Sequence, residues 1–477
     1  MNNNKISSYK FLLILILLFL FLPSISQNNI RITISNTSYA ATDSLLTFWF
    51  ISNQNGKIKP EGSFLNITEL EIGKYYKTDS AQKKLDYSWG SNFVGGLGET
   101  NYLQINSVFL ALSYQGWEIK GGRFYDEIKY SGLSTTNGNL ARSQNSIPVP
   151  KIRFSTLGYK NLPFFKNWFR FKAEYDEGFL TDSRYVDGAH LHHKSLYGEF
   201  SISQSWKIYL GFEHYVMWGG TSRNEKIGKL PDDWCSYWRY VFALPGNDKF
   251  LETDKKNVSG NQLGTYQFEV VKDFEKLKST FYLSHPWEDN SGLNWRNWRD
   301  NLLGFHINFK NENKIVTDIL YEFTNTRNQS LKDSLYNWDE ETGKWRRNEV
   351  DNYYNHGIYR SGFTYQQQVM SSPLFFPVTI TDGISMGIRS NRFVSHHLGI
   401  AGNLSSFFFW KGLITFSRHS GTYGKPYEPA QNQISGLIDF MYINPEFPLD
   451  LGFSIAADDN SVLGKNLGFR FSISKNW

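Results

Sequence analysis

Trp295-Arg296-Asn297-Trp298-Arg299 places two indole rings and two guanidinium groups within five residues. An indole face stacks on the apolar face of a sugar ring, and a guanidinium grips a carboxylate through two parallel hydrogen bonds. That combination suits an acidic polysaccharide. The same residue types recur nearby, with Trp218, then Asp232-Asp233-Trp234 and Trp238-Arg239, and later Trp338, Glu340-Glu341 and Trp345-Arg346-Arg347. Any one of these rings, taken alone, reads as an anchor at a lipid–water boundary. The 295–299 cluster holds more cation and ring than an anchor needs.

Catalytic chemistry is thinner. Asp232-Asp233 and Glu340-Glu341 are paired acids, but glycoside hydrolysis depends on a carboxylate separation that sequence spacing does not give. His190, His192 and His193, with His396 and His397, are metal-capable, yet no Cys or helix-spaced Glu completes a zinc pattern. There is no phosphate-cradling glycine loop, no Gly-x-Ser-x-Gly elbow and no Cys/His pair at nucleophile spacing. The expectation is a binding protein, not an enzyme, with no catalytic residue, no metal and no cofactor.

The elements that must position these loops alternate with period 2. Phe169, Phe171, Ala173 and Tyr175 interleave with Arg170, Lys172 and Glu174. Leu196 to Ile202 and Trp206 to Phe212 repeat the pattern across Ser203-Gln204-Ser205, and so do Leu303 to Phe309 and Ile315 to Phe323. Helical spacing is never sustained over a comparable length. The chain reads as all-β.

Its links alternate between short and long. Those near 115–116, 203–205, 272–276, 310–314 and 443–448 are short, while 125–150, 176–195, 215–264, 286–301, 324–366 and 418–433 are long. Short turns on one side and long loops on the other are the habit of outer-membrane barrels, with the turns periplasmic and the loops extracellular. The expected fold is therefore a closed antiparallel transmembrane β-barrel of about 18 strands. A sheet in hydrocarbon must close on itself to satisfy its backbone.

Both ends agree with that reading. Lys5 and Lys10 precede the apolar run Phe11 to Leu22, and Ser24-Ile25-Ser26 offers small residues for a peptidase, so cleavage is expected between Ser26 and Gln27. This divides the chain into a signal peptide, 1–26, and a single barrel domain, 27–477. The apolar run is too short for a spanning helix. At the other end, Leu467, Phe469, Phe471, Ile473 and Trp477 share one strand face. This resembles the terminal strand read by the outer-membrane barrel assembly machinery, although Lys475 stands where an apolar residue is usual.

Composition fits the same picture. Aromatics make up 17 % of the residues, which a membrane barrel uses as girdles at both interfaces. Mean hydropathy is low, as expected when every second strand residue faces a polar lumen. The lone Cys235 forms no internal disulfide. The net charge of +5 falls to +3 once the two signal-peptide lysines are removed, too weak a bias to suggest nucleic acid.

Asp351-Asn-Tyr-Tyr-Asn-His-Gly-Ile-Tyr-Arg-Ser-Gly-Phe-Thr-Tyr365, with Ser372-Pro-Leu-Phe-Phe-Pro377, resembles the Wzi family of capsule assembly proteins in its Bacteroidetes-type branch. His214 with Trp218-Gly-Gly, Gly260 to Gly264, His285 to Asp289 and Asn391 to Gly399 are similar to further segments of that family. The resemblance implies an outer-membrane barrel that retains exported capsular or extracellular polysaccharide, acting as a lectin. It implies outer-membrane lipid, lipopolysaccharide and polysaccharide export proteins as neighbours. Enterobacterial members also carry periplasmic helices, which are not located here. Asn352, His396 and His397 become binding candidates by motif position. The aromatic–Arg candidates Trp218, Trp234, Trp238, Trp295, Arg296, Trp298, Arg299, Trp345 and Arg346 rest on chemistry alone. A substrate-specific diffusion channel and a soluble secreted lectin or glycosidase are the alternatives.

Overall fold

The computed structural model describes residues 30–76, 85–165, 168–256, 258–288, 290–311, 314–331, 334–340, 343–348, 350–460 and 464–477. The expected cleavage site, Ser26 and Gln27, and Glu341 of the second acid pair lie outside the described residues.

Eighteen antiparallel strands form one closed wall. They are β1 (Ile30–Ala41), β2 (Phe64–Lys74), β3 (Asp86–Leu97), β4 (Tyr102–Tyr114), β5 (Trp117–Arg123), β6 (Lys151–Thr156), β7 (Phe169–Phe179), β8 (His190–Ser201) and β9 (Trp206–Trp218). The second half is β10 (Asn261–Asp273), β11 (Leu277–Trp287), β12 (Asn301–Phe309), β13 (Asp318–Asn325), β14 (Phe393–Asn403), β15 (Phe408–Gly421), β16 (Pro426–Tyr442), β17 (Asp450–Asn460) and β18 (Gly464–Asn476). Each pairs with its sequence neighbours, and Lys160-Asn161 extends the β6 side of β7. Closure comes from β1, which pairs with β2 on one edge and with β18 on the other, Ala40 opposite Phe469. Among the described residues, every strand of this wall is paired on both sides.

The pleat sorts side chains by polarity. On β15, Ile414, Phe416 and Arg418 are exposed on the outer face, while Leu413, Thr415, Ser417 and His419 are buried toward the lumen. Leu103, Leu196, Leu210 and Phe305 are exposed on the same outer wall. Phe469 and Phe471 of the closing strand are exposed there as well. Apolar side chains outside and polar ones inside are the arrangement a hydrocarbon surround requires. Among the described residues no helix is long and apolar enough to cross a membrane, and the longest helix has eight residues.

The loops divide between two rims as the sequence phase predicts, with two corrections: the link expected at 324–366 runs on to residue 392, just before β14. The long link expected at 418–433 is a turn of four residues, 422–425, because β15 and β16 run on beyond the apolar band, His419 opposite Gln431 and Arg418 opposite Asn432. There both faces are polar, so hydropathy stops alternating while the backbone ladder continues.

The lumen is filled on its loop side. Segments 42–63, 124–150 and 351–376 fold inward and bury Trp49, Phe50, Leu133, Leu140, Tyr353, Tyr354 and Phe375 against Leu263, Leu302 and Leu320 of the wall. Polar ties fix this plug. Arg142 bridges Glu174 of β7 at 2.9 Å, Thr135 N donates to Glu322 of β13 at 2.8 Å, and Tyr354 Oη donates to the Leu140 carbonyl at 3.0 Å. Below the plug a polar cavity of about 580 Å³ occupies the turn side, lined by Lys120, Lys172, Tyr209, Glu269, Lys278 and Asn308 among others.

Candidate functional site

The candidate residues separate into three environments. The first is a hairpin that stands on the loop rim, Tyr336–Asp339 paired with Lys344–Arg347. Trp338 lies opposite Trp345, with ring centroids 5.7 Å apart and planes at 74°. Strand alternation puts Tyr336 on the same face and turns Arg346 to the other. The two indoles are 53 % and 67 % exposed, so neither is spent on packing. Tyr336 was not singled out in the sequence, and its register with Trp338 is the signal that finds it.

The second environment is the outer wall beneath the loop rim. Segment 219–260 leaves β9 and folds back over the outside of the barrel. Its helix α1 (Trp234–Val241) covers outward-facing residues of β8 to β10: Tyr237 meets His192, Tyr240 meets Trp218, and Gln262 donates to the Tyr240 carbonyl at 3.1 Å. Trp218 is buried there. It stacks on His190 at 4.5 Å and donates from Nε1 to Glu177 at 2.9 Å. Trp234 is exposed, and half-buried Trp238 stacks on Phe242. Asp233 is the helix cap. It accepts from Cys235 N and Ser236 N, and the Ser236 hydroxyl and Lys249 hold its carboxyl down to about 2. Asp232 pairs with Lys229 at 2.9 Å. Both acids thus have structural partners.

Segment 288–300 also lies against the outside. Trp295 stacks on the outward His285 at 4.1 Å with planes 5° apart, and on Tyr266 at 5.2 Å. Its φ of +59° turns the chain so that the ring lies back on the wall. Arg296, Trp298 and Arg299 remain exposed, the Arg299 guanidinium 5.4 Å from the Trp298 ring centre. The cluster is therefore divided, with one ring on the wall and the rest facing outward. Asp300 closes the segment. It accepts from Asn328 N, Gln329 N and the Tyr353 hydroxyl, and burial pushes its carboxyl up to about 6.

The third environment is the plug boundary. His397 is buried inside, Nε2 2.7 Å from the Leu133 carbonyl and Nδ1 2.8 Å from Thr415 Oγ1. His396 faces outward beside Tyr321. The two are on opposite sides of the wall, and the same pleat separates His190 and His192 from His193. Asn352 is exposed and accepts from Asn391 at 2.7 Å and Asn355 at 3.2 Å, tying the plug segment to the start of β14. Glu174, Asp176 and His193 bring ligand-capable atoms within 4.8 Å of one another. The carboxylates are already met by Arg142 on Glu174, Lys151 on Asp176 and Arg153 on both. A buried cluster so compensated is a wall brace.

A closed barrel with an apolar outer wall and a polar, plugged lumen is an integral β-barrel of the outer membrane. Residues 47–401 match the family model for the capsule assembly protein Wzi, and the chain belongs to that family. Among solved structures, Wzi of Escherichia coli, an outer membrane protein involved in group 1 capsule assembly and described as a carbohydrate-binding β-barrel, aligns with a TM-score of 0.56 at 13 % identity, over 94 % of this chain and 84 % of its own. OccK3 (OpdO) and OccK5 (OpdH) of Pseudomonas aeruginosa align with TM-scores of 0.47 and 0.46, each at 9 % identity, over 94 % of this chain and 95 % and 97 % of theirs. No curated protein matches the chain.

Proposed function

We propose that this barrel binds capsular or other exported polysaccharide at the cell surface and retains it there, as a lectin and without catalysis. The observation that carries this reading is the exposed Trp338–Trp345 pair, raised on a hairpin above a plugged barrel of a capsule assembly family. The carbohydrate binding described for the Escherichia coli relative supports it. Each hairpin offers only a few contacts, but a polymer engages many barrels at once and is held by effective concentration. Residues 1–26 would direct the chain for export and then be removed, and Phe469, Phe471, Ile473 and Trp477 would present it to the assembly machinery.

Gene deletion in the native bacterium tests the reading. Polymer still made but shed into the medium supports retention. Unchanged attachment overturns it. In cells carrying Trp338→Ala with Trp345→Ala, barrel assembly should be unchanged and the single-site affinity for the polymer should fall by about 2 kcal/mol, roughly thirtyfold.

A further inference from the structure

Arginines gather outside the hairpin, on the outer wall where β12 to β15 meet the loop rim. Arg299 precedes β12, Arg327 follows β13, Arg392 precedes β14 and Arg418 lies on the outer face of β15. The first three are joined through backbone and amide groups. Asn325 donates to the Arg299 carbonyl at 2.7 Å and accepts from Arg327 Nε at 3.2 Å. Arg392 Nε donates to the Arg327 carbonyl at 3.3 Å. The Arg392 guanidinium lies 3.6 Å from the centre of the Tyr423 ring, and the Tyr423 hydroxyl donates to the same Arg327 carbonyl at 3.0 Å. Arg418 follows by register, because Val394, two residues beyond Arg392 on the same face, sits opposite it.

These four outward guanidiniums lack the close carboxylate partner that four arginines inside the barrel have. Arg142, Arg153, Arg170 and Arg470 each contact a carboxylate within 3 Å. Among the described residues none of the four has a carboxylate within 4.0 Å. The nearby acid Asp300 acts on Arg327 only at longer range, being buried behind them and engaged by Asn325, Asn328, Gln329 and Tyr353. Arg299, Arg327 and Arg418 are exposed, and Arg392 is half-buried under its tyrosine. Directly below, the outer faces of the same strands turn apolar and exposed, with Phe305, Tyr321, Leu398, Ile414 and Phe416. Phe416 is two residues from Arg418, roughly 7 Å along the strand.

A ligand that fits must place fixed anionic groups at the arginine level and hydrocarbon immediately beneath. Arginine recognises phosphate through paired, charge-assisted hydrogen bonds. We propose that this stretch of wall is a binding site for a phosphorylated, multiply acylated glycolipid of the outer leaflet, with its phosphates on Arg299, Arg327, Arg392 and Arg418 and its acyl chains along the apolar band. Because the apolar band is immersed in acyl chains, the guanidiniums just above it stand at the headgroup level of the leaflet, where an acylated glycolipid carries its phosphates. The Tyr423 ring holds the Arg392 guanidinium in place in advance, which lowers the ordering cost of binding.

The test uses the full barrel in detergent. Affinity is measured for a diphosphorylated, acylated glucosamine disaccharide lipid, for the same lipid after phosphatase treatment, and for the native acidic polysaccharide. The wild-type protein should bind the phosphorylated lipid at least tenfold more tightly than the dephosphorylated one. Arg392→Gln with Arg418→Gln should remove that preference, and so should Arg418→Gln alone in part, a change at an exposed side chain that leaves folding intact. Arg360→Gln, an exposed arginine on the plug segment, should change nothing. A wild-type protein indifferent to the phosphates overturns the proposal. So does a double variant that loses polysaccharide affinity while keeping its lipid preference, which would assign the arginines to the polymer.

Discussion

Trp295 lies flat on His285, with ring centroids 4.1 Å apart and planes within 5°, on the outside of the barrel wall. The contact explains why one loop carries two tryptophans three residues apart. Trp295 fastens segment 288–300 to the wall, and Trp298 is left exposed.

The two rings should therefore respond differently to removal. Trp295→Ala loses stacking worth about 1 kcal/mol and loosens the segment, which hydrogen exchange across residues 290–299 would record as faster opening. Trp298→Ala should leave exchange unchanged and weaken polysaccharide retention. Unchanged retention removes this loop from the polymer site.

The plug makes a prediction about transport. Loops 42–63, 124–150 and 351–376 bury apolar side chains across the loop side of the lumen, so the barrel should conduct ions poorly in a planar bilayer. Replacing residues 127–148 with a short Gly-Ser link should raise conductance several-fold. An open-porin conductance in the wild-type protein would favour a diffusion channel instead.

Asp300 gives stability a defined pH dependence. Its folded-state value of about 6 lies above the ordinary 3.8, because burial penalises the carboxylate more than its hydrogen bonds and the Arg327 charge favour it. The folded state thus binds the proton more tightly than the unfolded chain. The resulting stabilisation is complete below about 3.8 and is lost as pH rises to about 6, a difference of roughly 3 kcal/mol. Urea unfolding between pH 4 and 7 should show this fall, and Asp300→Asn should flatten it.

Arg153 reaches Asp176 through two hydrogen bonds, at 2.7 and 2.8 Å, inside the wall between β6 and β7. Arg153→Ala would leave a buried carboxylate short of a partner and should cost about 3–5 kcal/mol, read as a lower urea midpoint. Replacing both residues with Met and Leu should recover most of the loss. Failure to recover would point to a role for Asp176 beyond bracing.

How the structure met the sequence differs by element. Period 2 alone identifies β7, the lower half of β8, β12 and β13, because their membrane-facing residues are mainly apolar and their lumen-facing residues mainly polar. The upper ends of β15 and β16 escape it, since Arg418 and Asn432 outside and Ser417, His419 and Gln433 inside are all polar. The aromatic–Arg segments are legible as chemistry, but their destinations are not. Trp218 and Trp295 pack on the wall, Trp234 and Trp298 face outward from it, and Trp345 rises on a hairpin.

The sequence by itself determined the all-β barrel, the phase of its loops and the residue types available for binding, because those follow from local alternation and turn spacing. Only the tertiary structure decided that three loops fold inward as a plug while two fold back over the outer wall. That choice rests on contacts between residues far apart in the chain, such as Tyr354 with Leu140, Thr135 with Glu322 and Arg392 with Arg327. No local pattern encodes such contacts, and they set which guanidiniums and rings stay free for a ligand.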